Sequence, residues 1–240
     1  MHDSTEIMGI KILKTTKDEF LRKDLLPRLQ QQDKSHVVTA NPEIVMKTRE
    51  DLEYKQIVQS ADYVVPDGAG ILLAAKYMKQ PLPERIAGYD LMMELLELAE
   101  AEGLSCYFLG AKEDVNEKTV SEAKKKFPGL SIAGRHHGFF DIDDPEIVAQ
   151  VVQTDPDLIF VALGLPRQEQ WIAKHKDKFR KGLFMGIGGS FDILAGEVKR
   201  APEIWIKLNL EWLYRLLKQP FRWKRMLKVF EFMFRVVLRR

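Results

Sequence analysis

Six short apolar runs in this 240-residue chain each give way to residues that can do chemistry. In order these are Thr39 and Asn41; Asp67, Gly68 and Gly70; Gly110; Arg135, His136, His137 and Gly138; Gly164, Pro166 and Gln168; and Gly186, Gly188, Gly189 and Ser190. Open parallel sheets bind ligands beyond the carboxyl ends of their strands, so residues at such positions carry the functional question. Glycines there let backbone N–H groups approach a ligand, and helix N-termini favour anions, which makes a diphosphate a fitting guest. A single glycine can simply end a strand; five such ends together point to a nucleotide. Asp67 is the sharpest candidate. It stands in VVPDGAG, where Pro66 ends the run and two glycines admit a ligand beside the carboxylate. A carboxylate so placed can serve as general base on a hydroxyl, or it can cap the helix that begins GILLAAKYM; spacing alone does not separate the two.

The remaining polar groups divide in the same way. Gln168 and Glu169, in LGLPRQEQW, fall in the first turn after a strand-ending glycine. Their amide and backbone donors suit a sugar or a uracil edge, and ordinary helix solvation over a buried Trp171 is the alternative. His136 and His137 are adjacent, so on an extended segment only one faces a given site, with phosphate recognition, acid–base work or a structural hydrogen bond as its roles. Asp141 and Asp143 spell a D-x-D of the kind metal-dependent sugar transferases use, but Asp144-Pro145-Glu146 reads as an acidic helix start, so no metal site is expected. The first run is not followed by G-x-G-x-x-G, and no Walker A lysine motif occurs, which disfavours redox and ATP-driven chemistry and leaves no cofactor to expect.

The elements that must position these residues follow from the pattern. Apolar runs at 36–39, 62–65, 105–109, 131–134, 158–163 and 183–187 alternate with segments of helical period, the α/β signature, and several are unbroken, as in a sheet covered on both faces. Helix starts are readable at Asn41-Pro42 and Asp144-Pro145, and a stop at Gly103. We expect one Rossmann-like core over 1–200, with a helical appendage over 201–240. With 15 Gly, 11 Pro and 45% hydrophobic residues the chain is neither disordered nor collagenous, and a lone Cys106 rules out an internal disulfide. No basic-then-apolar leader opens the sequence, so a cytoplasmic location is expected.

The net charge of +2 conceals an uneven distribution: residues 201–240 carry ten Lys/Arg against three Asp/Glu, or +7, leaving −5 for the rest. The same forty residues hold eight of the 23 aromatics. Leu208, Trp212 and Leu216 form one apolar stripe, with Arg215, Lys218, Arg222 and Arg225 recurring beside it and Pro220 expected to break the helix. A second amphipathic piece, 222–239, sets Trp223, Phe230 and Phe234 among Lys224, Lys228, Arg235 and Arg239. Nothing approaches the roughly 20 apolar residues of a membrane span. Cationic faces backed by Trp and Phe suit an anionic lipid surface, and an acidic body argues against nucleic acid. Packing on the core or on a second subunit, as in a homo-oligomer, is the competing role.

An ordered set of segments spans most of the chain: TANPEIVMKTRED, ADYVVPDGAGILLAAK, ERIAGYDLM, FLGAKEDV, VALGLPRQEQWI and GIGGSFDILAGEVKRAP. Together they resemble the WecG/TagA/CpsF family of bacterial glycosyltransferases. The resemblance implies an inverting transferase, acting without a divalent metal, that moves N-acetylmannosamine from its UDP conjugate to the 4-hydroxyl of GlcNAc-diphospho-undecaprenol. The product is the linkage unit of wall teichoic acid. Relatives using UDP-N-acetylmannosaminuronic acid or a hexose, in capsule, exopolysaccharide or common-antigen synthesis, are the alternative within the family. The resemblance further implies Asp67 as the base on the acceptor, with Thr39 and Asn41 beside it and with Arg85 and Gln168 on substrate; Gly68, Gly110 and Gly164 are expected to bring backbone to the substrate from their strand-end positions. Arg215, Arg222 or Arg225 is then expected to close over the departing diphosphate while the aromatics engage the inner face of the plasma membrane. A nucleotide-binding scaffold without catalysis is the reading from another class.

Overall fold

The structure is a computed structural model and describes residues 3–208, 210–218 and 223–238. An N-terminal hairpin, β1 (Ser4–Ile7) and β2 (Ile10–Leu13), precedes six strands: β3 (Lys34–Ala40), β4 (Tyr63–Pro66), β5 (Ser105–Gly110), β6 (Ser131–His136), β7 (Leu158–Ala162) and β8 (Gly182–Gly186). These six form a single sheet in the order β4-β3-β8-β7-β5-β6, with every neighbouring pair parallel. This is the Rossmann-like α/β architecture that the alternating pattern calls for, and each expected strand is present within a few residues of its expected bounds.

Unbroken apolar strands bury both faces. Cys106, Phe108, Leu158, Phe160, Leu183 and Met185 point to one layer, against helices that include Gly88–Glu102 and Glu113–Lys126. Their alternates Tyr107, Leu109, Ile159, Val161 and Phe184 point to the other, against Pro145–Gln153 and Arg167–His175. The helix boundaries have the local causes read from sequence. Asn41 Oδ1 accepts the Ile44 N–H at 3.0 Å, Asp144 Oδ1 accepts the Glu146 N–H at 2.9 Å, and Gly103 closes its helix in the left-handed conformation.

The hairpin is an addition to the expected fold. Met8 and Gly9 both have positive φ, 52° and 83°, as a two-residue hairpin turn demands. Its Ile7, Ile10 and Ile12 are fully buried with Val64 of β4 and with Tyr54 and Val58. The hairpin thereby covers the β4 end of the sheet.

The C-terminal residues form helices Glu203–Lys207, Glu211–Lys218 and Trp223–Val237. Leu208 closes the first of these, so it does not share a helix with Trp212 and Leu216, and the expected three-residue stripe is interrupted there. The expected break at Pro220 lies outside the described residues. Helix Trp223–Val237 lies across helices Pro42–Glu50 and Ala69–Tyr77 and buries Phe232 and Val236 in their cluster. Beneath it the two helices approach tightly, a Cβ on Gly70 standing 2.7 Å from Pro42 Cγ, while Val229 Cγ1 at 3.7 Å would be in ordinary contact. The same helix turns Trp223, Leu227, Phe230 and Phe234 outward, each more than half exposed. Among the described residues no helix is long and apolar enough to cross a membrane.

Candidate active site

The carboxyl ends of β3 and β4 lie side by side, with Thr39 paired in register with Val65 and Ala40 with Pro66. The chain continues directly into Asn41 and Asp67, whose N–H donates to Ala40 O at 2.8 Å. Asp67 is not the residue at the cap position of the helix that follows it. Gly68, at φ +84°, is the N-cap of Ala69–Tyr77. The Asp67 carboxylate reaches across instead, with Oδ2 3.4 Å from the Gly88 N–H that opens helix Gly88–Glu102. A fifteen-residue helix thus aims its positive end at this carboxylate.

Thr39 completes the corner. It is 7% exposed, and a Cβ on Gly88 would lie 3.2 Å from its Oγ1, so the helix starts in tight contact with the strand. Asn41 uses its carbonyl oxygen as a helix cap, which leaves its amide nitrogen as the group available to a ligand. The loop carrying Arg85 is pinned by Ile86 N–H to Pro66 O at 2.7 Å. Arg85 Nη2 meets Glu211 Oε2 at 3.0 Å, with the two side chains 11% and 9% exposed. Arg85 also lines a cavity of about 390 Å³ with Leu72, Pro83, Glu84, Asp90 and Ile206. The C-terminal helices therefore reach this mouth through Ile206 and Glu211.

One cation has no counterpart among the residues expected from sequence. Arg200 pairs with Asp90 at 2.5 Å and stacks over Tyr89 at 4.8 Å, at the edge of the same cavity. It stands in GEVKRAP, inside one of the segments that carry the family resemblance, but no local pattern marks it.

Gln168 and Gly164 lie further along the sheet edge. The strand order puts the end of β8, where Gln168 sits, about 10 Å from the end of β4, and the end of β7 about 14 Å away. Gln168 is 5% exposed and Glu169 1%, so both are buried and neither is solvated. The Gln168 Oε1 accepts the Gly188 N–H at 3.1 Å, and its Nε2 donates to Glu169 Oε1 at 2.7 Å. Burial pushes the Glu169 carboxyl up to about 7, with the bond from Gln168 opposing. Gly164 has φ +75° and open space where a side chain would stand.

Residues 5–240 match the glycosyl transferase WecG/TagA/CpsF family. The chain belongs to that family. It is 42% identical over 201 residues to a protein of Bacillus spizizenii, covering 84% of this chain and 78% of that one. A Bacillus subtilis protein is 41% identical over 194 residues (80% and 75%), and one of Staphylococcus aureus 41% over 189 residues (79% and 73%). Each of the three is named N-acetylglucosaminyldiphosphoundecaprenol N-acetyl-beta-D-mannosaminyltransferase.

In this glycosyltransferase several candidates stand apart from the corner at Asp67. Gly110 ends β5, about 19 Å from the end of β4. Its φ is +126°, and the Ala162 carbonyl of β7 fills the place of a side chain, so its observed role is close strand packing. His136 and His137 close the far strand, β6. His136 Nδ1 lies 2.8 Å from His137 O, and His137 Nδ1 accepts the Phe139 N–H at 3.1 Å, which makes both histidines parts of a turn. The acidic segment is a helix start: Asp141 accepts the Asp143 N–H, Asp143 pairs with Lys174, and Asp144 caps Pro145–Gln153. Arg222, and the side chains of Arg215 and Arg225, lie outside the described residues.

Proposed function

We propose that this family member transfers an N-acetyl-β-D-mannosaminyl group from UDP-ManNAc to the 4-hydroxyl of GlcNAc-diphospho-undecaprenol, making the linkage unit of wall teichoic acid. The reading rests on the convergence of Asp67, Thr39, Asn41 and Arg85 at the ends of β3 and β4, in a chain 42% identical to an enzyme of that name.

The chemistry is one displacement. The acceptor oxygen attacks the anomeric carbon as the bond to the UDP oxygen breaks, and inversion follows from a single in-line step. Asp67 takes the proton of the attacking hydroxyl as general base. Thr39 and Asn41, on the adjoining strand end, orient the sugar hydroxyls, and Gln168 contacts the nucleotide sugar from the β8 side. Charge accumulates on the departing diphosphate, and guanidinium groups are its natural partners: Arg85 and Arg200 at the cavity, with Arg215, Arg222 or Arg225 closing from the C-terminal segment. Gly68 and Gly164 bring backbone close to the ligand. Neither a covalent intermediate nor a cofactor is required.

The acceptor is lipid-linked, and helix Trp223–Val237 has the surface to meet its membrane. Trp223, Leu227, Phe230 and Phe234 form an outward apolar stripe with Lys228 and Arg235 on the same helix. Such a helix lies in an anionic interface, each basic residue near the surface contributing about 1 kcal/mol. We place the enzyme at the inner face of the plasma membrane on this basis.

The test is UDP release with a GlcNAc-diphospho-lipid acceptor, comparing UDP-ManNAc with UDP-GlcNAc in the presence and absence of EDTA. Acceptor-dependent release from UDP-ManNAc that survives EDTA is expected, and Asp67→Asn should lower it by about two orders of magnitude or more, since the change keeps size and removes basicity. An Asp67→Asn enzyme at the wild-type rate would remove Asp67 as base, and silence with UDP-ManNAc would transfer the assignment to another sugar nucleotide.

A further inference from the structure

Beside Gln168 lies an acid that the proposed displacement does not use. Glu169 is 1% exposed, and its Oε1 accepts from Gln168 Nε2 at 2.7 Å. The hydroxyl of Tyr54, from helix Leu52–Gln59, is buried and is the titratable group that interacts with the Glu169 carboxyl. Burying a carboxyl costs the fold free energy, which its hydrogen bond from Gln168 offsets in part.

That bond belongs to an arrangement with one solution. The Gly188 N–H can only donate, so it fixes Oε1 of the Gln168 amide and turns Nε2 toward Glu169. The pair lies against the backbone at the end of β8. A Cβ on Gly186 would stand 2.6 Å from Gln168 Nε2 and 2.9 Å from Glu169 Oε1, so a larger residue there would push both side-chain ends out of these positions. With its oxygen and one hydrogen engaged, the amide has a single N–H left, and its direction is set by the other two bonds.

We propose that Glu169 is a positioning residue for glycosyl transfer: with the Gly188 N–H it locks the Gln168 amide so that its remaining N–H is presented to the sugar nucleotide. This rests on the reading of Gln168 as a substrate contact. Because burial holds the Glu169 carboxyl at about 7, its ionised form, the stronger acceptor, gives way to the protonated one as pH falls through that value. Donor affinity should weaken over the same interval.

The test uses the full chain, UDP-ManNAc and a GlcNAc-diphospho-lipid, reading kcat and KM for the donor from pH 6 to 8.5. Glu169→Met keeps side-chain length, fills the pocket with apolar atoms and removes the acceptor; circular dichroism and thermal unfolding show that it folds. We expect donor kcat/KM to fall about tenfold in Glu169→Met, and to return to within about threefold of wild type in Glu169→Gln, whose amide oxygen can still accept. The wild-type change near pH 7 should be absent in Glu169→Gln. In a Gln168→Ala background, Glu169→Met should cost nothing further, because the two residues act as one unit. Equal losses from Glu169→Met with and without Gln168 would overturn the positioning role while leaving Gln168 as a contact. A neutral Gln168→Ala would overturn the contact itself and this inference with it. If Glu169→Met fails to fold, Glu169→Gln decides the matter: a pH profile that loses its change near pH 7 supports the role, and an unchanged profile overturns it.

Discussion

At the scale of single residues, Glu169 also links stability to pH, with a sign opposite to that of most acids. Its carboxyl is held at about 7 in the fold, above its ordinary value of 4.5. Between those values the folded chain binds the proton more tightly, so folding is progressively disfavoured as pH rises from about 4.5 and the penalty is complete above about 7. The full effect is about 3 kcal/mol. Glu169→Gln should therefore be more resistant to denaturant than wild type at pH 8, by up to that amount. The advantage should shrink to nothing by pH 4.5 in a series of urea titrations. A gain of equal size at every pH would mean that the carboxyl does not titrate in this range. Asp67 shows how little of such detail is carried by local spacing. VVPDGAG permits a helix cap as readily as a base, and the matter turns on Gly68 taking the cap position while Gly88, 21 residues on, supplies the hydrogen-bond donor.

At the scale of elements, two glycines at strand ends differ in what holds them. Gly110 has φ +126° and the Ala162 carbonyl where a side chain would go, whereas Gly164 has φ +75° and open space. Gly110→Ala should then destabilise by about 3 kcal/mol or more through backbone strain and displacement of β7, and Gly164→Ala by only about 1 kcal/mol. Urea unfolding of the two variants checks the contrast. Strands and helix caps were legible because their causes are local: short apolar runs, Asn41 before Pro42, Asp144 before Pro145, Gly103 after a helix. The hairpin was not, since Met8 is no turn former and its four-residue strands carry little signal. Nor was the meeting of Arg85 with Glu211, or of Gln168 with Gly186. Runs of the same apolar character pair in many orders, so which strand ends become neighbours is settled by the packed sheet.

At the scale of the whole molecule, helix Trp223–Val237 divides its aromatics between the core and its outer face. Phe232 is fully buried against the core and Phe234 is 64% exposed. Composition disclosed the aromatic and basic character of this segment, but a helix apolar on both sides does not announce which side faces in. Phe232→Ala removes about 3 kcal/mol of docking, so amide exchange along 223–237 should quicken by about a hundredfold while β5, β7 and β8 keep their protection. Phe234→Ala should leave that exchange unchanged and weaken sedimentation with anionic vesicles. The sheet order has a further consequence, for the order of events in folding. Strand β8 sits inside the sheet between β3 and β7, with Lys34 paired to Gly182, while β4 to β7 lie between β3 and β8 in the chain. A ribosome must therefore release nearly the whole core before β8 can join the β4-β3 pair to the rest of the sheet. Until then β3 and β4 stand as an incomplete, apolar pair, so the nascent chain folds late and depends on protection from association along most of its synthesis.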